Sequence, residues 1–506
     1  MKSTFALATL LVLAACSSSD DTAKNSNTAN TTFTIAPPTA NVGTCRTQKF
    51  TATPGDGVTW ALEGAGSMAD GLYTAPLSVP SPSTATVKAT RQTQSATAAI
   101  TLATAFPGTP VDLARTAGTT YGDFVHAYAT SGARAYALTG GATANGLSKS
   151  TDGGVTWGAP VSLPVGDGYA SAVAVDAGNP DVVYVTIHRG DENAGSILEL
   201  AKSTDGGATF TTKPLYTGGN GDVARPDVVS PAPNHVVVSA PAPWQDSTLG
   251  QQGIVNLVFH DGAGGSFPAV TLFDNGYKAS SVPLADQTPR SKGMLIETDS
   301  GRFGPHLATN GAGKVCVTYA EYDINGTVAE NHWVKCSSDS GATWGQPVSA
   351  VTGRSQDLAR PRIAVSKDGQ VVVVTYSKFA DSSLDELGQT AFKVSVDGGA
   401  TWGAEKVQAD VMDPPGDGAK LAVSSPEVLI DAAGVIWFAR QIGNGVRLQI
   451  DKSCDKGATL SGAVDLPITT PIYNPALFET SAGLFGGGSR GGAADTGPTA
   501  VLLLAP

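Results

Sequence analysis

Five eight-residue stretches of this chain share one pattern, Ser-x-Asp-x-Gly-x-Thr-aromatic. They lie at 150–157, 203–210, 337–344, 395–402 and 453–460, and the last ends in Leu460 instead of an aromatic. A degenerate sixth copy lies at 261–267. The residue types are those of a tight turn between strands. An Asp carboxylate accepts backbone N–H groups across a turn and holds it closed. Glycine reaches backbone conformations that cost other residues energy. The Thr suits the start of an outgoing strand, and the aromatic supplies a wedge between sheets.

The spacing of the motif aspartates, Asp152, Asp205, Asp261, Asp339, Asp397 and Asp455, is 53, 56, 78, 58 and 58 residues. A period in the fifties fits a repeated unit of four strands. The long interval carries a polar insertion at 275–302. Each unit opens on an inner strand, often after proline: Arg225-Pro226-Asp227, Gly304-Pro305-His306, Arg360-Pro361-Arg362 and Ser425-Pro426-Glu427. The ends of the chain supply one further unit. Residues 474–486 and 499–504 give three strand-like runs, and Gly108 to Leu113 resembles the fourth strand Gly158 to Leu163. Residues 108–506 divide into seven units of 57 residues, with six larger units as the alternative. Pairing the two ends in one sheet closes a ring and removes an exposed edge.

The motif resembles the Asp-box, or BNR repeat, of the sialidase-like β-propellers. That resemblance implies an all-β chain with a seven-bladed (alternatively six-bladed) propeller over 108–506. In it Asp152, Asp205, Asp339, Asp397 and Asp455 are structural and lie on the face opposite the ligand site. The segment 33–104 resembles the bacterial Ig-like domains through Phe50-Thr51-Ala52-Thr53, Val58-Thr59-Trp60, Gly71 to Pro76 and Thr86 to Thr90. This implies a β-sandwich with Trp60 in its core, serving as a spacer or adhesion module.

The first 15 residues read as a signal peptide, with Lys2 before the apolar run Phe5 to Ala15, too short to span a membrane as a helix. Leu13-Ala14-Ala15-Cys16 resembles the lipobox of bacterial lipoproteins, which implies lipidation of Cys16 and anchoring to a membrane. A Ser/Asp/Asn/Thr-rich tether follows over 16–32. Ser17 directly after the cysteine implies, by the same resemblance, the outer membrane and the cell envelope.

A net charge of −12 argues against a nucleic-acid partner, which needs a basic footprint. Five cysteines less the lipidated one leave four in an oxidising compartment. Cys316 and Cys336 fall on consecutive strands and are expected to face each other. Cys45 and Cys454 remain, and their pairing would clamp the N-terminal domain beneath the propeller. No Cys-x-x-Cys and no paired histidine occur, so no metal site and no cofactor is expected.

Repeat alignment places Asp123, Arg225, Asp227, His306, Arg360, Arg362 and Glu427 at the starts of inner strands. Second-strand ends and the loops after them add His188, Arg189, Asp191, Trp244, Glu321, Tyr322, Asp323, Tyr376, Lys378 and Arg440. Of these, Arg225, Asp227, His306, Glu321, Tyr322, Arg360, Arg362, Tyr376, Glu427 and Arg440 are the candidate axial ligand-binding set. Such groups fork-bind a carboxylate through Arg and stack a sugar on an aromatic ring. The sialidase resemblance implies three arginines, a Tyr–Glu pair, an Asp and a Phe/Tyr-Arg-Ile-Pro motif before the first box. That motif is missing here; its nearest echo is Arg360-Pro361-Arg362-Ile363. The expectation is therefore a surface-anchored monomer that binds a glycan or protein on its axial face. The alternatives are an exo-sialidase or other glycoside hydrolase, or a structural envelope protein.

Overall fold

The computed structural model describes residues 32–103, 111–113, 124–140, 144–166, 168–189, 197–217, 226–246, 251–260, 271–273, 305–321, 330–353, 358–378, 389–408, 423–442, 447–466, 472–490 and 499–505. These residues are all-β, with no helix among them. Cys16 and the leader, the sixth motif at 261–267 and the insertion at 275–302 lie outside them.

From residue 111 onward the strands form seven antiparallel four-stranded sheets, called here I to VII. Their inner strands are Phe124–Ser131, Tyr169–Val175, Asp227–Val229, His306–Thr309, Leu358–Val365, Val423–Ile430 and Ile472–Thr480. Each inner strand touches the next, and the strand of sheet VII touches that of sheet I, so the sheets form a closed ring, a β-propeller. Sheet VII joins both ends of the ring. Its outermost strand, Val111–Asp112, pairs with Thr499–Ala505 in the register Val111 to Val501 and Asp112 to Ala500.

The ring has no single core. Its apolar side chains gather in seven clusters, one between each pair of neighbouring sheets. Tyr184, Leu198, Val236 and Val238 fill the layer between sheets II and III, and Phe392, Ile436 and Phe438 that between V and VI. Each such fully buried large side chain contributes roughly 1.5–3 kcal/mol. The layers together therefore outweigh any surface ion pair, which is worth about 0–1 kcal/mol.

The five repeated motifs form five nearly identical turns. In each, the Asp Oδ1 accepts the backbone N–H of the Thr, at 2.9 Å from Thr156, 2.9 Å from Thr209, 2.8 Å from Thr343, 2.9 Å from Thr401 and 2.8 Å from Thr459. The Thr hydroxyl donates to Oδ2 and the Ser hydroxyl to Oδ1. The Ser Oγ in turn accepts the N–H of the glycine two residues beyond the Asp. That second glycine has positive φ in every copy. The preceding position is also left-handed, although Ser340 and Lys456 occupy it in two copies. A Cβ on Gly207 would stand 2.9 Å from Leu147, and one on Gly457 2.7 Å from Val394. Each turn thus lies against the preceding sheet, and the motif aromatics Trp157, Trp344 and Trp402 pack into inter-sheet clusters.

The N-terminal unit has its own core. A four-stranded sheet (Thr39–Gly43, Gln94–Ala103, Thr84–Arg91, Thr59–Gly64) faces three-stranded and two-stranded sheets. Phe50, Tyr73, Val87 and Ala89 are fully buried between them. Trp60, expected at the centre, is only partly buried and packs at the margin of that core.

Both cysteine pairs are disulfides. Cys316 and Cys336 face each other across adjacent strands with Cα atoms 4.1 Å apart. Cys45 and Cys454 join the N-terminal unit to the fifth motif, with Cα atoms 5.6 Å apart. Around that bridge, Arg46 Nη1 lies 2.8 Å from Asp431 Oδ2, and Lys452 Nζ donates to Thr44 Oγ1. Cys45 is buried with Trp437, Leu448 and Leu484. The N-terminal unit is therefore fixed against sheets VI and VII.

Candidate functional site

The inner strands are shaped by their prolines. Pro361, Pro426 and Pro475 sit where the register shifts, between Ala359 and Arg362, Ser424 and Glu427, and Tyr473 and Ala476. Sheets I and II carry the same shift without proline, between Val125 and Ala127 and between Ala170 and Ala172. An inner strand has one free edge, so a residue lacking an N–H costs no ladder bond there. A bulge re-aims the side chain that follows it.

The register places Arg362, Glu427, His306 and Ala172 three residues from the last pair of their hairpins, Ala127 and Ala476 four, and Asp227 two, so the seven occupy neighbouring levels. Arg362 pairs with Thr375, Glu427 with Ala439, His306 with Thr318 and Asp227 with Ser239. Ala476, Ala127 and Ala172 pair with Gly487, Leu138 and Thr186. All seven line a central channel of about 1110 Å³ that runs past all seven inner strands.

Four consecutive sheets supply an ionic ladder on one side of this channel. His306 Nδ1 is 3.7 Å from Asp227 Oδ2, Arg362 Nη1 is 2.5 Å from His306 Nε2, and Arg362 Nε is 3.5 Å from Glu427 Oε2. Arginine only donates, so it fixes His306 Nε2 as an acceptor and leaves the ring proton on Nδ1, facing Asp227. Asp227 is held ionised from behind: its Oδ1 accepts Val228 N–H at 2.8 Å and its Oδ2 accepts Leu307 N–H at 2.8 Å. Desolvation raises the Glu427 carboxyl above the usual glutamate value, and the nearby Asp227 charge raises it further. Arg362 and the Val428 N–H oppose that rise. All four side chains keep between 18% and 25% of their surface exposed, which leaves them open to the channel.

The opposite end of the channel is also acidic. Asp176 and Asp431 end their inner strands and cap the following turns, accepting N–H groups of Gly178, Asn179, Ala433 and Val435. Glu479 accepts the Ala432 N–H, and burial raises its carboxyl. Sequence reasoning did not single out these residues. Nor did it place Ala127, Ala172 and Ala476, though the Pro475-Ala476 pair repeats the proline spacing of the other sheets.

Of the ten candidate residues, Asp227, His306, Arg362 and Glu427 are brought together. Tyr376 and Arg440 lie elsewhere. Both are on second strands, whose side chains point into the layers between sheets. Tyr376 is fully buried between sheets IV and V and donates to Glu405. Arg440 is 2% exposed and donates to Gln449 at 3.1 Å and to Thr390 of sheet V at 3.1 Å. Among the neighbouring positions, His188 is buried, and Arg189 is bound by Glu199 at 2.7 Å and by the carbonyls of Pro164 and Val165. Arg225 and Tyr322, with Asp123, Asp191 and Asp323, lie outside the described residues, as do the side chains of Glu321, Arg360, Trp244 and Lys378. Among the described residues no group of His, Cys, Asp and Glu is arranged to hold a metal ion.

No family model and no curated protein matches this chain. Solved structures do. The α-L-arabinofuranosidase of Fusarium graminearum with arabinobiose is 17% identical at a TM-score of 0.39, over 66% of this chain and 92% of that one. The α-L-arabinanase of Penicillium chrysogenum with arabinobiose is 13% identical at 0.41, over 78% and 98%. The Trypanosoma rangeli sialidase is 14% identical at 0.36, over 69% and 55%. All three fall below 25% identity and a TM-score of 0.5, so none transfers an activity or a residue role to this chain.

Proposed function

We propose that this chain is an envelope lipoprotein, anchored to the outer membrane through Cys16, whose seven-bladed propeller binds a glycan in its axial channel. The Ig-like unit at 33–104 acts as its spacer, and the chain works as a monomer. One observation carries the binding reading: the Asp227–His306–Arg362–Glu427 ladder stands in an open channel while its charges are already paired. Carboxylates and a guanidinium held in this way offer several fixed acceptors and donors to sugar hydroxyls. The ladder counts against an exo-sialidase. Arg362 is engaged by Glu427 and His306, and Arg440 is buried away from the channel. A trio of free arginines converging on a substrate carboxylate is thus not formed by the described residues.

A second reading, hydrolysis of the bound glycan, rests on the contrast between Glu427 and Asp227. A carboxyl raised by desolvation, in one ladder with a second carboxyl fixed by two backbone N–H groups, is a starting point for acid and base roles. A glycan array probed with the full-length protein, followed by fluorogenic glycosides of the glycans retained, separates the readings. Binding without turnover, lost in Arg362→Ala, supports the binding module. Turnover lost in Glu427→Gln supports the hydrolase. No glycan retained by the wild type would contradict both.

A further inference from the structure

We infer that the channel selects uncharged sugars over acidic ones and takes a sugar ring with its C–H face on an alanine wall. The inference rests on the glycan-binding reading above and names its ligand class. It follows from the two halves of the channel. Sheets III to VI present the ladder, while sheets VII, I and II present Ala476, Ala127 and Ala172. Four long polar side chains stand on one side; on the other, Ala172 is buried in the layer between sheets II and III and Ala127 and Ala476 are partly buried, so short side chains leave the open volume there.

Charge sets the selectivity. The described lining includes five carboxyl groups, Asp227, Glu427 and Glu479 with the buried Asp176 and Asp431, against two basic side chains, Arg362 and Lys367. Asp431 is further balanced by Arg46 from outside the lining. In the ladder itself the one guanidinium contacts Glu427 and His306, and Asp227 stands beside His306. An incoming carboxylate would have to displace Glu427 from Arg362 and then sit between two like charges. An uncharged ring meets no such repulsion. Its hydroxyls donate to Asp227 and Glu427, and its C–H face lies on the alanines.

The test is calorimetric titration of the full-length protein with neutral gluco-, galacto-, xylo- and arabino-oligosaccharides. The matching acidic panel contains galacturonate, glucuronate and sialyl oligosaccharides. The expected result is a neutral ligand bound at least tenfold more tightly than any acidic one. In Glu427→Gln, which frees Arg362 and removes one repelling charge, the gap narrows through a gain for the acidic sugar. Ala476→Phe and Ala127→Phe, which fill the apolar half, each weaken the neutral ligand at least tenfold in the folded protein. Two separate positions guard against a single variant that misfolds. An acidic sugar bound as tightly as a neutral one overturns this inference and leaves the glycan reading standing. Full binding by both filled variants likewise overturns the alanine wall alone. Failure of every glycan to bind overturns both.

Discussion

The motif turns and the axial channel sit in the same seven sheets but obey opposite rules. The five turns repeat one set of hydrogen bonds with Asp-to-Thr distances that agree within 0.1 Å. The channel does not repeat in this way: the inner strands of successive sheets line it with Ala127, Ala172, Asp227, His306, Arg362, Glu427 and Ala476. Repetition marks what every sheet needs to close its turn and meet its neighbour. Departure from repetition, at positions the fold does not require to differ, marks what the molecule does with the ring.

The sharpest way to break this contrast is to damage each region separately. Gly457→Ala places a Cβ 2.7 Å from Val394 Cγ2 at a left-handed position. The expected loss is about 2–4 kcal/mol in urea unfolding, with ligand affinity kept by the folded fraction. Arg46→Ala leaves the fully buried Asp431 side chain without its ion pair. With the Cys45–Cys454 bridge intact, this is expected to cost about 3 kcal/mol. Asp339→Ala removes the acceptor of one turn and is expected to cost about 1 kcal/mol, by analogy with other side-chain caps.

pH separates the two regions by sign. Bonds from Thr343 and Ser337 outweigh desolvation and lower Asp339 to about 2. Its contribution is therefore present above the usual aspartate value and lost as pH falls toward 2. Glu427 is raised, so its protonated form favours the fold at low pH, and that contribution fades as pH rises through its folded value. A third group acts over a higher window. Burial lowers His332 to about 3, and both its ring nitrogens lack a hydrogen-bond partner. Stability is expected to fall as pH drops from about 6.5 to 3, by at most about 1.4 kcal/mol per pH unit for this one proton. His332→Phe should abolish that slope and add about 1 kcal/mol at neutral pH. The smallest change expected is in Ser340→Gly and Lys456→Gly. Each relieves a left-handed side chain, at φ 61° and φ 56°, and should gain about 0.5–1 kcal/mol in thermal unfolding.

What was legible in the sequence follows the same division. The turns were readable because their geometry is local: a Ser, an Asp, a Gly and a Thr within eight residues make all the bonds that matter. The prolines before Asp227, His306, Arg362 and Glu427 mark the channel level of the inner strands, at a strand start in sheets III and IV and at a bulge inside the strand in sheets V and VI, and those four residues meet. The second-strand candidates were not readable in this way. Tyr376 and Arg440 sit on strands with neighbours on both faces, and their direction depends on which layer each residue enters. Repeat alignment fixes the level of a residue in a sheet but not that direction. The alanine wall escaped notice because alanine carries no chemistry of its own; it matters only as the place where its neighbours' long side chains are absent. Cys45 and Cys454 were readable only by elimination, since 409 residues separate them.

The most direct test is one titration series. A retained glycan is titrated into wild type, Arg362→Ala and Asp339→Ala under the same conditions. The account predicts at least a tenfold loss of affinity in Arg362→Ala with the thermal midpoint nearly unchanged, and an unchanged affinity in Asp339→Ala with the midpoint lowered. Full affinity in Arg362→Ala, or an affinity lost in Asp339→Ala while the fold is intact, would place the ligand away from the channel and contradict the account.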